Sequence, residues 1–500
     1  MDKTPPLIQW RRLCIRFAVY CLAFVALASA YWVGRTFGNP SIHQLLYHLE
    51  FIESLLKDSD SVFQQAFVVQ CIVFPLLAAT ALTSFEIYLK RRWAARMQKD
   101  PRPSFVTTGK RFGVWVGRHF PAVAVATSIL AIVMQFSLVS VALSNFGPDH
   151  FAARYVDPST IATSKNALKN LVLIYVESLE NAYGDPTVFG SDLLSELHAL
   201  PGISFDAYET APGAAWTIGG IVATQCGIPL KRSAMLGGFE NNDALAAFLA
   251  NATCLPDILD RHGYRNVFLG GAQLSFAGKG FFLKSHHYHE AYGLSEWLAL
   301  KDPTLFEEIS PWGIYDDALF RAAAQKLDEL HRTAQPFNLT ILTLDMHHPQ
   351  GHYSKYCRAR GAARFEDLVQ CASQMVSTFV RHIEQSGYLQ DTNVVILGDH
   401  LAQPNPVYEK LLAYPRRTIF NKFISLNPPQ KHFDNIIPFD LFPTLLEFAG
   451  VNVAGGRLGL GYSAFFNANS AAPPPSASRI EASPVIMNPS SAYERLWSAQ

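Results

Sequence analysis

The residues of this sequence best suited to chemistry stand at the ends of short apolar runs. Glu177 closes "NLVLIYVE", Asp399 and His400 close "NVVILGDH", and His347 and His348 follow "FNLTILTLD" by one intervening residue. Carboxylate and imidazole together make a donor set for a divalent cation. Each motif alone has a commoner explanation: an acid after an apolar run usually caps a helix or forms a turn, and Asp399–His400 can be a capping aspartate beside a surface histidine. The adjacent pair is the more specific signal because it offers two donors from one backbone step.

Thr217 adds a hydroxyl at the start of "TIGGIVATQ", a segment that can run as a helix after the turn at Gly213–Ala215. Free amides and the helix dipole favour an anion at such a position. The ordinary fate of a threonine there is to cap the helix. It becomes a nucleophile only where its alkoxide is stabilised, which a cation held by Glu177, Asp399 and His400 would do. The four residues make chemical sense as a set.

Residues so far apart in sequence need a scaffold that gathers strand ends. Strand-like runs at Asn170–Glu177, Asn266–Gly271, Phe337–Asp345, Asn393–His400 and Thr418–Leu426 alternate with helical patterns at Pro256–His262, Tyr315–Arg332 and Phe365–Gln385. That alternation predicts an α/β layer fold with a mostly parallel sheet, whose ligand crevice lies at the carboxyl ends of the strands. No internal repeat is present. From Asn467 the chain turns rich in Ala, Pro and Ser, including "AAPPPSAS", and 467–500 reads as a disordered tail.

With 49% hydrophobic and 16% charged residues among 500, the composition leans toward a membrane-associated protein, and a net charge of zero gives no electrostatic case for nucleic acid. Uncharged runs at Phe17–Val33, Phe67–Phe85 and Phe120–Leu143 are long enough to span a bilayer. They define a membrane domain over 1–145 with spans at about 13–33, 66–87 and 120–143, a connector over 146–169 and a catalytic domain over 170–466. The first run can also be read as a cleaved signal peptide, since basic residues precede it and "ALASA" resembles a cleavage site. Two further spans and a basic loop at Lys90, Arg91, Arg92, Arg96, Lys99, Arg102, Lys110 and Arg111 favour a retained multi-pass anchor. Its N-terminus is then cytoplasmic and the chain from Ser144 lies outside.

Cys14, Cys21 and Cys71 fall in the apolar runs, leaving Cys226, Cys254, Cys357 and Cys371 for the outer domain. An oxidising compartment lets these pair, and Cys226–Cys254 with Cys357–Cys371 is the expected connectivity because each closes a short loop. Four buried thiols are the alternative.

Seven ordered stretches resemble the phosphoglycerol transferases of the lipoteichoic-acid-synthase type, within the alkaline phosphatase and sulfatase superfamily. They are "YVESLE" (Tyr175–Glu180), "WTIGGIVATQCGIPL" (Trp216–Leu230), "CLPDIL" (Cys254–Leu259), "FAGKGFFLKSH" (Phe276–His286), "WGIYDD" (Trp312–Asp317), "TLDMHHPQG" (Thr343–Gly351) and "GDHLA" (Gly398–Ala402). The resemblance implies a sulfatase-like α/β sandwich in the periplasm of a bacterium, anchored in the inner membrane. It implies one divalent cation, manganese, on Glu177, Thr217, Asp399 and His400; the ligand types alone leave magnesium and zinc open. Thr217 would accept glycerophosphate from phosphatidylglycerol and pass it to a periplasmic glucan or another glycan.

By the same resemblance His347 contacts substrate and serves in proton transfer, and His348 beside it is a further substrate-binding candidate. Lys279 stands near a position where lipoteichoic acid synthases carry an arginine for the phosphate, a departure that offers a point charge in place of a fork; a solvated lysine is the other reading. Of the remaining candidates, "SHHYHE" (Ser285–Glu290) suggests a metal cluster but points its histidines to different sides. Asp316 and Asp317 suit the first turn of a helix, Asp440 sits in a structural helix, and Asp345 with His348 leaves a second metal open.

Rival readings are a lipoteichoic-acid-synthase-like polymerase, a phosphoethanolamine transferase, a phosphatase, or a glycan-binding protein without activity. A sulfatase is disfavoured because "TIGGI" occupies the place of the C/S-x-P-x-R motif. Non-reducing peptide mapping is expected to find Cys226 joined to Cys254 and Cys357 to Cys371; four free thiols would contradict an oxidising compartment.

Overall fold

The computed structural model describes residues 6–99, 106–160, 168–231, 248–302, 309–466 and 478–498. Arg102 of the basic loop and the run at 467–477 lie outside them. Two compact units divide the chain.

The first unit comprises Met1–Ile42 and Asp60–Ala142. Trp10–Phe37 and Ser61–Leu89 are helices long and apolar enough to cross a membrane, and the pair His119–Gln135 and Leu138–Ser144, bent by 60°, makes a third span if the two are taken together. Continuous apolar sequence takes helical form because hydrocarbon leaves backbone groups no partner but one another. Polar contacts tie these helices: Arg16 pairs with Glu86 at 3.0 Å, Tyr20 donates to the same carboxylate, and the Ser128 hydroxyl donates to the Ala23 carbonyl at 2.7 Å.

The second unit holds His43–Ser59 and Leu143–Gln500. It begins with two short helices, α1 (Ile42–Glu50) and α2 (Ile52–Asp58). Its centre is a six-stranded sheet of β1 (Asn170–Val176), β2 (Arg265–Gly270), β3 (Glu290–Tyr292), β4 (Phe337–Leu342), β5 (Thr392–Gly398) and β6 (Asn421–Ile424). Across the sheet the order is β3-β2-β4-β1-β5-β6, parallel except for the β5–β6 edge. All five expected strands are present. The unexpected β3 is a three-residue edge strand in a polar stretch, too short to carry a periodic signal.

Both faces of the sheet are covered, which is why its strands read as unbroken apolar runs. Leu171, Leu173 and Tyr175 enter one core while Val172, Ile174 and Val176 enter the other, following the two-residue period of a strand. On the first face lie α3 (Thr217–Cys226), α4 (Leu255–Arg261), α5 (Lys279–Ser285) and α8 (Pro438–Phe448); on the second lie α6 (Asp316–His331) and α7 (Phe365–Gln385). Both expected disulfides are closed, Cys226–Cys254 at 2.02 Å and Cys357–Cys371 at 2.01 Å. The first ties the end of α3 to the start of α4.

The tail departs from expectation. Residues 478–498 are not disordered: they form two short turns and a helix, α9 (Ser491–Trp497), that pack onto the second unit. Composition missed this because a few large side chains do the anchoring: the Tyr493 hydroxyl bonds both backbone groups of Lys231 at 3.0 Å, and Trp497 lies 4.9 Å from the Phe248 ring. Arg479 makes a two-pronged pair with Asp440, at 2.7 and 2.9 Å, with both side chains fully buried. Asp440 also accepts from the Ile437 and Tyr462 amides, so its role is structural, as the sequence suggested.

Removing one partner of a buried ion pair strands the other charge away from water. Arg479→Met is expected to destabilise the second unit by about 3–5 kcal/mol, read as a lower denaturant midpoint. Adding Asp440→Asn is expected to recover part of the loss.

Candidate active site

Sheet register brings the first two site residues together. Val176 is paired with Gly398 across the parallel β1–β5 ladder, so the next residues, Glu177 and Asp399, leave adjacent strands side by side. Strand spacing of about 4.8 Å sets their separation. Both carboxylates are buried, each 2% exposed.

Local backbone arrangements aim them. Ser178 takes a left-handed conformation, φ 56°, uncommon for a non-glycine residue. Its amide donates to Asp399 Oδ1 at 2.8 Å, and its hydroxyl donates to Glu177 Oε1 at 2.6 Å. The His400 amide also donates to Asp399 Oδ1, at 2.9 Å, while the Thr343 hydroxyl accepts from the Glu177 amide at 2.9 Å. Asp399 Oδ2 has no hydrogen-bond partner although it is buried. A buried carboxylate oxygen left bare is costly unless a positive group meets it.

His400 supplies the third donor. Its Nδ1 donates to the Leu401 carbonyl at 2.8 Å, which turns Nε2 toward the site, where the neutral ring offers a lone pair. Nε2 lies 3.3 Å from Asp399 Oδ2, 3.7 Å from Glu177 Oε1 and 3.5 Å from Thr217 Oγ1. One donor atom from each of Glu177, Asp399 and His400 falls within 4.8 Å of the others. Two buried carboxylates, one with a bare oxygen, and an imidazole aimed between them fit a divalent cation in both chemistry and placement.

Thr217 does not cap its helix. Trp216 is the residue before the first turn of α3 and makes no side-chain cap, so Thr217 occupies the first helical position with its hydroxyl turned to His400. Gly220 lets the helix come this close: a Cβ there would stand 2.2 Å from the Asp399 carbonyl oxygen. Beneath, Thr224 bonds the Tyr175 hydroxyl at 2.6 Å and fastens α3 to β1.

Charge in the site is set by burial. Desolvation lifts Asp399 to about 6, with the neighbouring Glu177 adding to the rise, and desolvation raises Glu177 as well. At His400 burial works against the charged form, but Asp399 and Glu177 outweigh it and hold the imidazole above its ordinary value. Lys279, at the start of α5, is 5% exposed, so it is not a solvated lysine. Desolvation lowers it to about 8, opposed by attraction to Glu177.

His347 is half-buried, with its ring 4.5 Å from Trp312 and 4.7 Å from His348. Its Nδ1 is engaged by the His348 carbonyl at 2.8 Å. His348 is 3% exposed and held neutral, chiefly by desolvation. The loop carrying them is pinned by two buried aspartates: Asp316 accepts from the Leu344 and Asp345 amides at 2.7 and 3.0 Å, and Asp345 accepts from the Asp316 amide at 3.2 Å. Asp317 pairs with Arg321 one turn along the helix. Among the described residues Asp345 and His348 gather with no third metal ligand.

The histidines of "SHHYHE" serve the fold. His286 and His287 each bond Asp257 at 2.8 Å, and His289 pairs with Asp260 at 3.1 Å. Sequence reasoning missed a second support, Glu180 and Arg417. Glu180 is fully buried, accepts from the Ala402 amide at 2.8 Å and forms an ion pair with Arg417, which also donates to the Ala402 carbonyl at 2.8 Å. This clamp holds the chain just past His400. Glu180 lay within "YVESLE", but nothing in the spacing pointed to Arg417.

The Sulfatase family model matches residues 169–451, more than half of the chain. Phosphoglycerol transferase I of Shigella flexneri is 39% identical over 300 residues, covering 58% of this chain and 38% of that protein. The protein of the same name from Escherichia coli (strain K12 / MC4100 / BW2952) is 39% identical over 289 residues, 55% of this chain and 36% of that one. The matched part of the chain thus spans less than two fifths of these relatives' length. A solved lipoteichoic acid synthase from Listeria monocytogenes is 15% identical over 61% of this chain and 79% of its own, with a TM-score of 0.47.

Without a cation, Asp399 binds its proton more tightly in the folded protein, at about 6, than in the unfolded chain, at about 3.9. Between those values the folded state holds more protons than the unfolded one, so metal-free stability falls as pH rises through that window. Thermal unfolding in EDTA is expected to show this fall, Asp399→Asn to flatten it, and an added divalent cation to restore stability above pH 6.

Proposed function

Because this chain belongs to the Sulfatase family, we propose that it is a membrane-anchored phosphoglycerol transferase that moves glycerophosphate from phosphatidylglycerol to a periplasmic glucan. One observation carries the reading: the Thr217 hydroxyl, at the start of α3, lies 3.5 Å from His400 Nε2, which with Glu177 and Asp399 makes the cation-fitting set. The two relatives named phosphoglycerol transferase I support the choice of group transferred. The family's name does not dictate sulfate chemistry here, since "TIGGI" replaces the motif that a sulfatase modifies.

In this reading Glu177, Asp399, His400 and Thr217 hold one divalent cation, manganese. When bound, it supplies the positive charge that favours Thr217 as an alkoxide and neutralises the phosphate. Thr217 Oγ1 attacks phosphorus, the bond to the diacylglycerol oxygen breaks, and that oxygen leaves as a hydroxyl with the proton Thr217 gave up. A glucan hydroxyl then attacks the phosphorus of the phosphoglyceryl-threonine, the bond from phosphorus to Thr217 Oγ1 breaks, and the proton lost by the glucan hydroxyl ends on Oγ1. His347 carries the proton on the open side of the site, with His348 supporting its ring. Lys279 lends positive charge to the phosphate, and the amides of α3's first turn face the same anion.

The second unit is read as periplasmic and the N-terminus as cytoplasmic. Support comes from residues 43–59, which follow the first apolar helix and belong to the same compact unit as 143–500. A compact unit stays on one side of a bilayer, so that loop and the catalytic unit share a compartment. The basic loop around Arg91 and Arg92 then falls inside.

Membranes carrying the protein, given phosphatidylglycerol labelled in its headgroup together with a periplasmic glucan, are expected to transfer the label to the glucan. Thr217→Ala is expected to reduce turnover by about 10³-fold or more while the protein stays folded. Intact-protein mass spectrometry under single-turnover conditions is expected to show a phosphoglyceryl adduct on the wild type, and its absence would remove the covalent step.

A further inference from the structure

Residues 43–59 have two contrasting faces. On one, Tyr47 is 1% exposed and Phe51 6%. The Tyr47 hydroxyl donates to the Ala277 carbonyl at 2.7 Å, Asp58 accepts from the Ser275 hydroxyl at 2.6 Å, and the Phe51 ring fills the space that a side chain at Gly278 would need, 2.4 Å from its Cβ position. The Tyr47 and His48 rings lie 6.2 and 6.1 Å from Trp216. This face therefore braces two loops at once, the one that delivers Thr217 and the one that delivers Lys279.

The opposite face is apolar and open. Ile52 and Leu56 stand one turn apart on α2, and Leu49 stands one turn earlier on α1; they are 47%, 63% and 49% exposed. Chain continuity says what covers them. The apolar helix before ends at Phe37 and the one after begins at Ser61, where Asp60 caps it by accepting from the Val62 amide at 2.8 Å. The four residues from Gly38 to Ser41 reach at most about 14 Å, and Ser59–Asp60 at most about 7 Å. Neither tether exceeds the roughly 15 Å of one hydrocarbon leaflet, and Glu53 and Lys57 flank the apolar residues as on helices that lie in an interface.

We propose that α1 and α2 form an interfacial element whose Leu49, Ile52 and Leu56 insert into the outer face of the phospholipid bilayer while Tyr47 and Phe51 brace the Thr217 and Lys279 loops. Membrane contact and site architecture then share one element. The inference rests on the two membrane-spanning helices and does not depend on which group the site transfers.

The test uses the full chain in nanodiscs of phosphatidylethanolamine and phosphatidylglycerol, with Cys14, Cys21 and Cys71 replaced by serine. An environment-sensitive dye is attached to Leu56→Cys, to Ile52→Cys as a second probe of the same face, and to Glu384→Cys as an exposed control on α7. Expected is quenching of the 52 and 56 probes by nitroxide-bearing lipid with protection from aqueous iodide, and the reverse at 384. Iodide quenching at 52 and 56 equal to that at 384 would overturn the proposal. Protection from both quenchers would overturn it as well, by showing that a second copy or another protein covers the face.

Discussion

Two carboxylates forced side by side in a buried place are the constraint on which the rest of the site depends. Val176 and Gly398 are register partners in a parallel ladder, so Glu177 and Asp399 emerge together with no freedom to separate. Burying like charges is unfavourable unless a cation or protons offset them. The surrounding structure meets this partly with donors, from Ser178 and His400 amides to Asp399 and from the Ser178 hydroxyl to Glu177. The remaining oxygen of Asp399 is left bare. A divalent ion suits the charge that the amides leave unsatisfied.

Holding that arrangement takes close backbone approach. A Cβ at Gly220 would collide with the Asp399 carbonyl, and one at Gly398 would stand 2.1 Å from the Leu179 carbonyl. Helix and strand ends can therefore converge only with glycine at these two positions. Behind them the Glu180–Arg417 pair fixes Ala402, and Asp316 with Asp345 fixes the turn that presents His347. Such supports matter because donor atoms misplaced by even an ångström lose much of their catalytic value. The same logic reaches outward to Tyr47 and Phe51, which steady the loops before Thr217 and Lys279.

Much of this was legible in the amino-acid order. Runs buried on both sheet faces announce themselves as unbroken apolar segments, and the site residues at their ends follow from where parallel sheets put ligands. Burial decided several ambiguities that pattern could not. Lys279 proved interior, the histidines of "SHHYHE" proved to be partners of Asp257 and Asp260, and the Ala/Pro/Ser-rich stretch was followed by an ordered end held by Arg479, Tyr493 and Trp497. Composition averages over a window, whereas a tail is anchored by a few large side chains that find sites elsewhere.

The sequence by itself determined the elements and their chemistry: which segments are strands, which helices are apolar enough to enter a membrane, which cysteines lie outside it, and which donors end which strands. These are local properties, carried by periodicity and residue type within about a dozen positions. Only the tertiary structure decided that Thr217 is a first-turn residue facing His400 and not a cap, that Arg417 clamps Glu180, and that residues 43–59 belong with the second unit. Those facts depend on contacts between residues hundreds of positions apart, fixed by strand register and by the few glycines that permit close approach. No local pattern encodes them.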